Sequence, residues 1–312
     1  MKIAALQLNC KFADVENNMM KIKKYIIQAS HNNAELILLP EFFSSAVGFL
    51  PEMNNVALKG PQIQKMLREW SAEFKIIIGG SYLCFDGTDS HNTFDLVFPD
   101  GKVFSHQKDI PTQFENCYYT RGDINHILHT PIGNIGIALC WEMIRYDTLK
   151  RISRKVDFIL AGSCWWDLPV DAPIDREPLR KYNQTLAIET PVTFAKLLHV
   201  PLIHANHCGQ ITAYNFPAAN RMQTRQFVGA TQILDAEGNI IKQRKFNEGE
   251  GLVIADFDLN KSAHKKVNFD QERYWIPDLP DSYISAWNTV NPIAETYYKD
   301  QILPYYHANF NI

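Results

Sequence analysis

The segment Gly136–Glu142, G-I-A-L-C-W-E, runs an apolar strand-like stretch straight into a polar turn and leaves one thiol, Cys140, at the junction. A cysteine at the mouth of a buried strand is rigid and partly desolvated, and it becomes a nucleophile once a base and an anion-stabilising group are near. Two further apolar runs end in such groups. E-L-I-L-L-P-E-F-F, residues 35–43, closes on Pro40-Glu41, and V-F-S-H-Q-K-D-I-P-T-Q-F-E, residues 103–115, supplies Lys108 and, seven positions on, Glu115. Each has a plain structural explanation when taken singly. A cysteine after I-A-L is more often inert packing, and a Glu or Lys after a strand is more often a solvated cap or surface charge.

Taken together, in the order Glu41, Lys108, Cys140, the residues form a known pattern. The chain resembles the nitrilase, or carbon-nitrogen hydrolase, superfamily. M-K-I-A-A-L-Q-L-N looks like its first strand, L-L-P-E ending at Glu41 like its glutamate motif, and I-G-I-A-L-C-W-E around Cys140 like its nucleophile strand. K-D-I-P-T-Q-F-E from Lys108 to Glu115, followed by Y-Y-T-R-G-D, is similar to its lysine motif. A-N-H-C-G at 205–209 and F-V-G-A-T-Q-I-L-D-A-E-G at 227–238 resemble later strand and hairpin motifs, so the likeness runs over roughly residues 1–260. M-I-R-Y-D, residues 143–147, departs from the nitrilase continuation after Trp141-Glu142.

The resemblance implies a four-layer α-β-β-α sandwich with the site at strand ends, and it implies roles. Cys140 attacks an amide carbon, Glu41 takes the thiol proton and passes it to the departing nitrogen, and Lys108 with a backbone N–H beyond Cys140 holds the oxyanion. Glu115 positions Lys108. A thioester forms and is hydrolysed, with no cofactor and no metal. A small non-peptide amide or carbamoyl amide is the favoured substrate. A nitrile is the alternative, to which Trp141-Glu142 leans. A non-catalytic binding or scaffold protein is the alternative of another class, against which the intact set of Glu41, Lys108, Glu115 and Cys140 argues. Trp141, Trp165, Tyr118, Arg145 and His207 are the candidate substrate-binding residues.

The composition suits an enzyme of this size. With 312 residues, 46% hydrophobic and 21% charged, the chain has enough apolar material for a large core. A net charge of −3 gives no basic footprint for nucleic acid. The basic runs at 21–24 and 150–155 read as solvated helix faces. No apolar stretch approaches the roughly 20 residues that span a bilayer, and no signal-peptide core precedes the first strand, so a cytoplasmic location is expected.

The elements that must position these groups alternate. A strand at 2–9 precedes a helix capped by Asp14 that continues to about 32, with Met20, Ile22, Tyr25, Ile26 and Ala29 at helical spacing. A buried strand follows at 36–40, then a helix from Gly60-Pro61 to about Phe74. Strands linked by a tight turn at Asp100-Gly101, the strand leading to Cys140, a helix near 145–155, the strand D-F-I-L-A-G-S and a helix at about 177–199, interrupted or kinked at Pro191, complete an α/β pattern.

Six cysteines show no C-x-x-C spacing and should be free thiols. Cys10, Cys84 and Cys164 read as core residues, and so does Cys117, although its closeness to Glu115 offers a place in the same cavity. His204/His207 and His126/His129 have metal-like spacings but no matching acid, and read as packed or pocket-lining residues. Trp165 or Trp166 could flank the cleft. The expected organisation is a hydrolase domain at 1–262 and an aromatic-rich extension at 263–312. That extension packs on its own domain or crosses to a second copy, and a homodimer or higher homo-oligomer is expected.

Overall fold

Alternation along the strands decides the layering. In the computed structural model, which describes residues 1–257 and 272–310, β1 (Lys2–Gln7) turns Ile3 and Ala5 to one side and Ala4 and Leu6 to the other. That is the period-two geometry of a strand buried on both faces. Strand β2 (Leu36–Leu38) does the same with Leu36 and Leu38 against Ile37. These two strands and β3 (Ile77–Phe85) are parallel, while β4 (Ser90–Val97), β5 (Val103–Gln107) and, at the far edge, β15 (Gly251–Asp256) join antiparallel.

A second six-stranded sheet repeats the plan. Its strands are β6 (Ile127–Thr130), β7 (Gly133–Leu139), β8 (Phe158–Ser163), β10 (Leu202–Asn206), β13 (Thr231–Leu234) and β14 (Ile240–Arg244). Strands β7, β8 and β10 are parallel. A small third sheet of β9 (Trp166–Pro169), β11 (Gln210–Tyr214) and β12 (Met222–Phe227) stands beside them.

The inner residues of both large sheets, among them Ile3, Leu38, Ile137, Leu139, Phe158 and Ile203, form one shared apolar layer. On the outside of the first sheet lie α1 (Val15–His31) and α2 (Gly60–Phe74), held through Ile22, Ile26, Ile63 and Leu67. On the outside of the second lie α3 (Tyr146–Ile152) and α4 (Glu177–Leu198), held through Leu149, Ile152, Phe194 and Leu198. The result is a four-layer α-β-β-α sandwich. Each buried Ile or Leu contributes about 1.5–3 kcal/mol relative to an exposed one, so the pattern itself stabilises this order of layers.

The sequence boundaries hold closely for α1, with Asp14 accepting from the Asn17 N–H at 3.2 Å, and for α2. Two details differ. Met19 is the buried methionine of α1 and Met20 is exposed, because Met19 falls in register with Ile22 and Ile26 on the inner face. Pro191 lies inside a helix assigned without interruption from Glu177 to Leu198. No helix among the described residues is long and apolar enough to cross a membrane.

The boundary expected at 262/263 lies outside the described residues. Within the described residues 272–310, α5 (Asp281–Tyr297), a π-helical turn at Tyr298–Ile302 and α6 (Leu303–Asn309) lie against the same chain. Tyr298, Ile302 and Tyr306 enter the apolar cluster of the first sheet. The Tyr298 hydroxyl donates to Asp89 Oδ1 at 3.1 Å and accepts from the Ser90 N–H at 2.9 Å. Tyr306 sits 5.3 Å from the Phe85 ring and donates to the Tyr118 carbonyl at 3.3 Å. Replacing this buried ring in Tyr306→Ala is expected to cost about 3 kcal/mol or more, which chemical denaturation followed by circular dichroism measures.

Candidate active site

Strand ends in the two central sheets converge on one place. Glu41 follows β2, Lys108 follows β5, Cys140 follows β7 and Cys164 follows β8. The carboxyl ends of parallel strands are where open α/β sheets leave a crevice. Gly162 makes the approach close. A Cβ at that position would lie 2.9 Å from the Glu41 backbone nitrogen, so a side chain there would force the two strand ends apart.

Lys108 is the centre of the arrangement. Its ammonium donates to Glu41 Oε1 and to Glu115 Oε2, both at 2.8 Å, with all three groups buried. Asn92 fixes two members together, since its Nδ2 donates to Glu41 Oε1 at 2.9 Å and its carbonyl accepts from the Lys108 N–H at 2.9 Å. The second Glu41 oxygen accepts from the Cys164 N–H at 3.0 Å. Glu115 Oε2 also accepts from the Thr112 N–H at 3.1 Å and from the Tyr119 hydroxyl. Burial works against the Lys108 ammonium, but Glu115 and then Glu41 outweigh it and hold its pKa well above the usual lysine value.

The same burial acts the other way on the acids. It pushes the Glu41 carboxyl up to about 7 although Lys108 pulls it down. Cys140 is held well above the ordinary thiol range, by burial first and by the Glu41 charge second, with Lys108 opposing. The resting sulfur is therefore a thiol, and Glu41 is a carboxyl able to take up or release a proton near neutrality. Cys140 itself sits at φ +51°, in the left-handed region that a non-glycine residue occupies at a cost of order 1–3 kcal/mol. The turn Cys140–Ile144 begins at this residue, which lifts the sulfur off the strand.

A cavity of about 250 Å³ opens on the sulfur. Glu115, Cys140, Trp141, Cys164, Trp165, Trp166, Asp167, Asn183, Arg225 and Tyr283 are among the residues that line it. The C-terminal aromatics brace its edge: Trp141 stacks on Trp287 at 5.6 Å and on Tyr283 at 6.2 Å, and meets Trp275 edge-on at 5.8 Å.

Of the substrate-binding candidates read from the sequence, Trp141 and Trp165 reach this cavity. The other three are placed elsewhere. Arg145 is buried and spent on Asp109, to which Nη1 donates at 3.0 Å and Nη2 also donates, with Nε on the Trp141 carbonyl at 3.2 Å. Tyr118 turns its hydroxyl to the Leu50 carbonyl at 3.3 Å. His207 lies behind the base, its Nε2 donating to the Glu41 carbonyl at 2.6 Å, and burial lowers its pKa to about 4, so the ring is neutral. Cys164 and Cys117 both pack in the apolar cluster, as core residues should, and Cys164 also lines the cavity. Arg151, read as part of a solvated basic face, pairs with the buried Asp109 at 2.7 Å.

The residue the sequence reading missed is Glu142. Its two oxygens accept from the Leu139 N–H at 2.7 Å and the Asp109 N–H at 2.8 Å. Those residues immediately precede Cys140 and follow Lys108, so one carboxylate ties the two reactive turns together. His106 Nε2 lies 3.3 Å from Glu142, and although burial opposes charging of the ring, this acid raises its pKa. A Glu three residues after a strand's last N–H is the local signal that could have marked it.

Among the described residues, His106, His126 and Glu142 bring one ligand atom each within 4.8 Å of one another. They are already engaged. The two Nδ1 atoms face the carbonyls of Asn125 and Ile137, and Arg151 Nη1 stands 3.2 Å from His126 Nε2, where its charge would repel a cation.

Comparison with known proteins gives the family. The profile of the Carbon-nitrogen hydrolase family matches residues 2–266, and the chain belongs to that family. It is an enzyme that hydrolyses carbon-nitrogen bonds other than peptide bonds. Nitrilase 3 of Arabidopsis thaliana is 27% identical over 89% of this chain and 85% of its own length. Citrullinase of Francisella tularensis is 25% identical over 92% of this chain and 99% of its own. An amidase from Nesterenkonia sp. AN1, solved with acrylamide added at its active-site cysteine, shares the fold with a TM-score of 0.64 at 17% identity, covering 87% and 96% of the two chains.

Glu142→Gln keeps the shape but can no longer accept at both oxygens, so one of the two backbone N–H groups loses its partner. A fall in kcat of about tenfold or more is expected, in line with the cost of misplacing reacting groups by about 1 Å. Steady-state kinetics on a variant whose circular dichroism matches the wild type checks it.

Proposed function

We propose that this enzyme hydrolyses a small non-peptide amide, carbamoyl amides included, through a thioester on Cys140. The observation that carries the reading is the buried Lys108 ammonium bridging Glu41 and Glu115 beside a thiol that opens on a cavity. Glu41 takes the thiol proton as sulfur attacks the carbonyl carbon. Lys108 stabilises the negative oxygen that develops, and Glu115 holds Lys108 in place. The C–N bond breaks as Glu41 returns the proton to nitrogen, which leaves as ammonia or an amine. Glu41 then deprotonates water, whose oxygen attacks the thioester and releases the acid and the thiol.

The likeness to a citrullinase supports a carbamoyl or ureido group as the reacting end. A nitrile is the second reading, supported by the likeness to Nitrilase 3 and by Trp141-Glu142. The partner is a small molecule, and a homodimer is part of the proposal. Ammonia release across small amides, ω-amides, N-carbamoyl compounds and nitriles separates the substrate readings. Cys140→Ala is expected to abolish turnover with the fold intact, and mass spectrometry of wild type trapped with substrate is expected to find an acyl group on Cys140. Full activity in Cys140→Ala would end the proposal.

The pH profile tests Glu41. As the base it must be ionised, so kcat/KM is expected to fall as pH drops below about 7, and Glu41→Gln is expected to be inactive across the range. The folded pKa lies above the unfolded value of 4.5, so Glu41 favours folding below pH 4.5 and that contribution is lost as pH rises through about 7. Activity and stability are therefore expected to move in opposite directions across this window.

A further inference from the structure

The cavity holds a positive charge for which the proposed chemistry has no use. Arg225, on β12, lines it with its guanidinium 5.2 Å from the centre of the Trp166 ring. Its Nη2 donates to Gln223 Oε1 at 2.9 Å and its Nη1 to the Asp167 carbonyl at 3.5 Å, which occupies two of five donors. Other arginines near the site differ. Arg145 and Arg151 share Asp109, and Arg180 faces Asp167 and Glu177 at 3.9 Å. Among the described residues Arg225 has no such ion pair.

Asp167, the acid whose charge acts on Arg225, is already engaged. Asp167 Oδ1 accepts from the Leu168 N–H at 2.8 Å and from Asn183 Nδ2 at 3.3 Å, and Oδ2 accepts from Gln184 Nε2 at 2.6 Å. Burial holds the Arg225 pKa below the usual arginine value, with Tyr283 and Asp167 only partly offsetting it. A partly desolvated guanidinium with no ion pair among the described residues, its centre over the Trp166 ring, keeps the remaining donors of its planar fork for whatever enters the cavity. A carboxylate matches that fork with two parallel hydrogen bonds.

We infer that Arg225 binds a carboxylate at the end of the substrate opposite the C–N bond that meets Cys140, so that the substrate is a small acid amide or ureido acid. The volume fits: about 250 Å³ is below the roughly 300–1,000 Å³ typical of pockets for drug-sized ligands. The inference rests on Cys140 being the reacting residue and adds the chemical class of the substrate's far end.

Hydrolysis of an ω-amic acid would leave a dicarboxylate, so dicarboxylates are the probes. Titration calorimetry of the wild-type protein with succinate, glutarate and adipate is expected to find binding by at least one of them. The neutral diamides of the same lengths should bind at least tenfold more weakly. Arg225→Met is expected to abolish dicarboxylate binding and Arg225→Lys to restore part of it, each with a wild-type melting temperature. In kinetics, succinamate and glutaramate are expected to be hydrolysed with at least tenfold higher kcat/KM than their methyl esters, and Arg225→Lys to lose that advantage through KM more than kcat. Absence of binding by all three dicarboxylates, equal binding of the diamides, or undiminished binding in Arg225→Met would overturn the inference. Hydrolysis of neutral amides that depends on Cys140 would in that case leave the proposed chemistry standing. Full activity in Cys140→Ala would instead remove the chemistry beneath it.

Discussion

A buried ammonium between two buried carboxylates is the constraint on which the rest of this structure depends. Removing three charges from water is costly, and their mutual attraction offsets that cost only when the geometry is tight and the remaining oxygens are hydrogen-bonded. Here Asn92, the Cys164 N–H, Thr112 and Tyr119 supply those bonds. Burial, with the Glu115 charge adding to it and Lys108 opposing, leaves Glu41 holding a proton until near neutral pH. A desolvated interior thus yields a carboxyl that exchanges its proton in the range where an enzyme works.

The architecture exists to make that cluster possible. Glu41 and Lys108 follow strands of one sheet and Cys140 follows a strand of the other, and face-to-face stacking of the sheets brings the sulfur to the cluster. Gly162 permits the contact and Glu142 fixes it, one by lacking a side chain and the other by accepting from the backbone on both sides. Behind Glu142 a second charged set, the buried Asp109 and Arg145 with the partly exposed Arg151, anchors the same turns. The interior therefore holds two charged layers, one facing the cavity and one supporting it.

Much of this was legible in the sequence. Strand-end placement of Glu41, Lys108 and Cys140 could be read from apolar runs stopping at polar residues, and α1 and α2 from caps and spacing. What escaped was whatever depends on which direction a side chain faces after the strand has ended. Arg145 and Arg225 are alike as letters, yet Asp109 neutralises the first while the second faces the cavity from a small sheet that no local pattern links to Cys140. His207 was drawn toward the pocket by its neighbourhood in sequence, and one residue beyond β10 it turns instead to the Glu41 carbonyl. Met19 and Met20 differ only in helical phase, and counting from Ile22 decides between them.

The cavity wall has a consequence for the order in which this enzyme comes into being. Tyr283 and Val290 of α5 line the cavity, and Trp287 stacks on Trp141, the residue after Cys140. The sulfur, the base and the ammonium all belong to the first half of the polypeptide, yet the chamber in which they work has a side missing until α5 has docked. During synthesis on the ribosome, the helix that supplies this side of the cavity would emerge after all three of those residues.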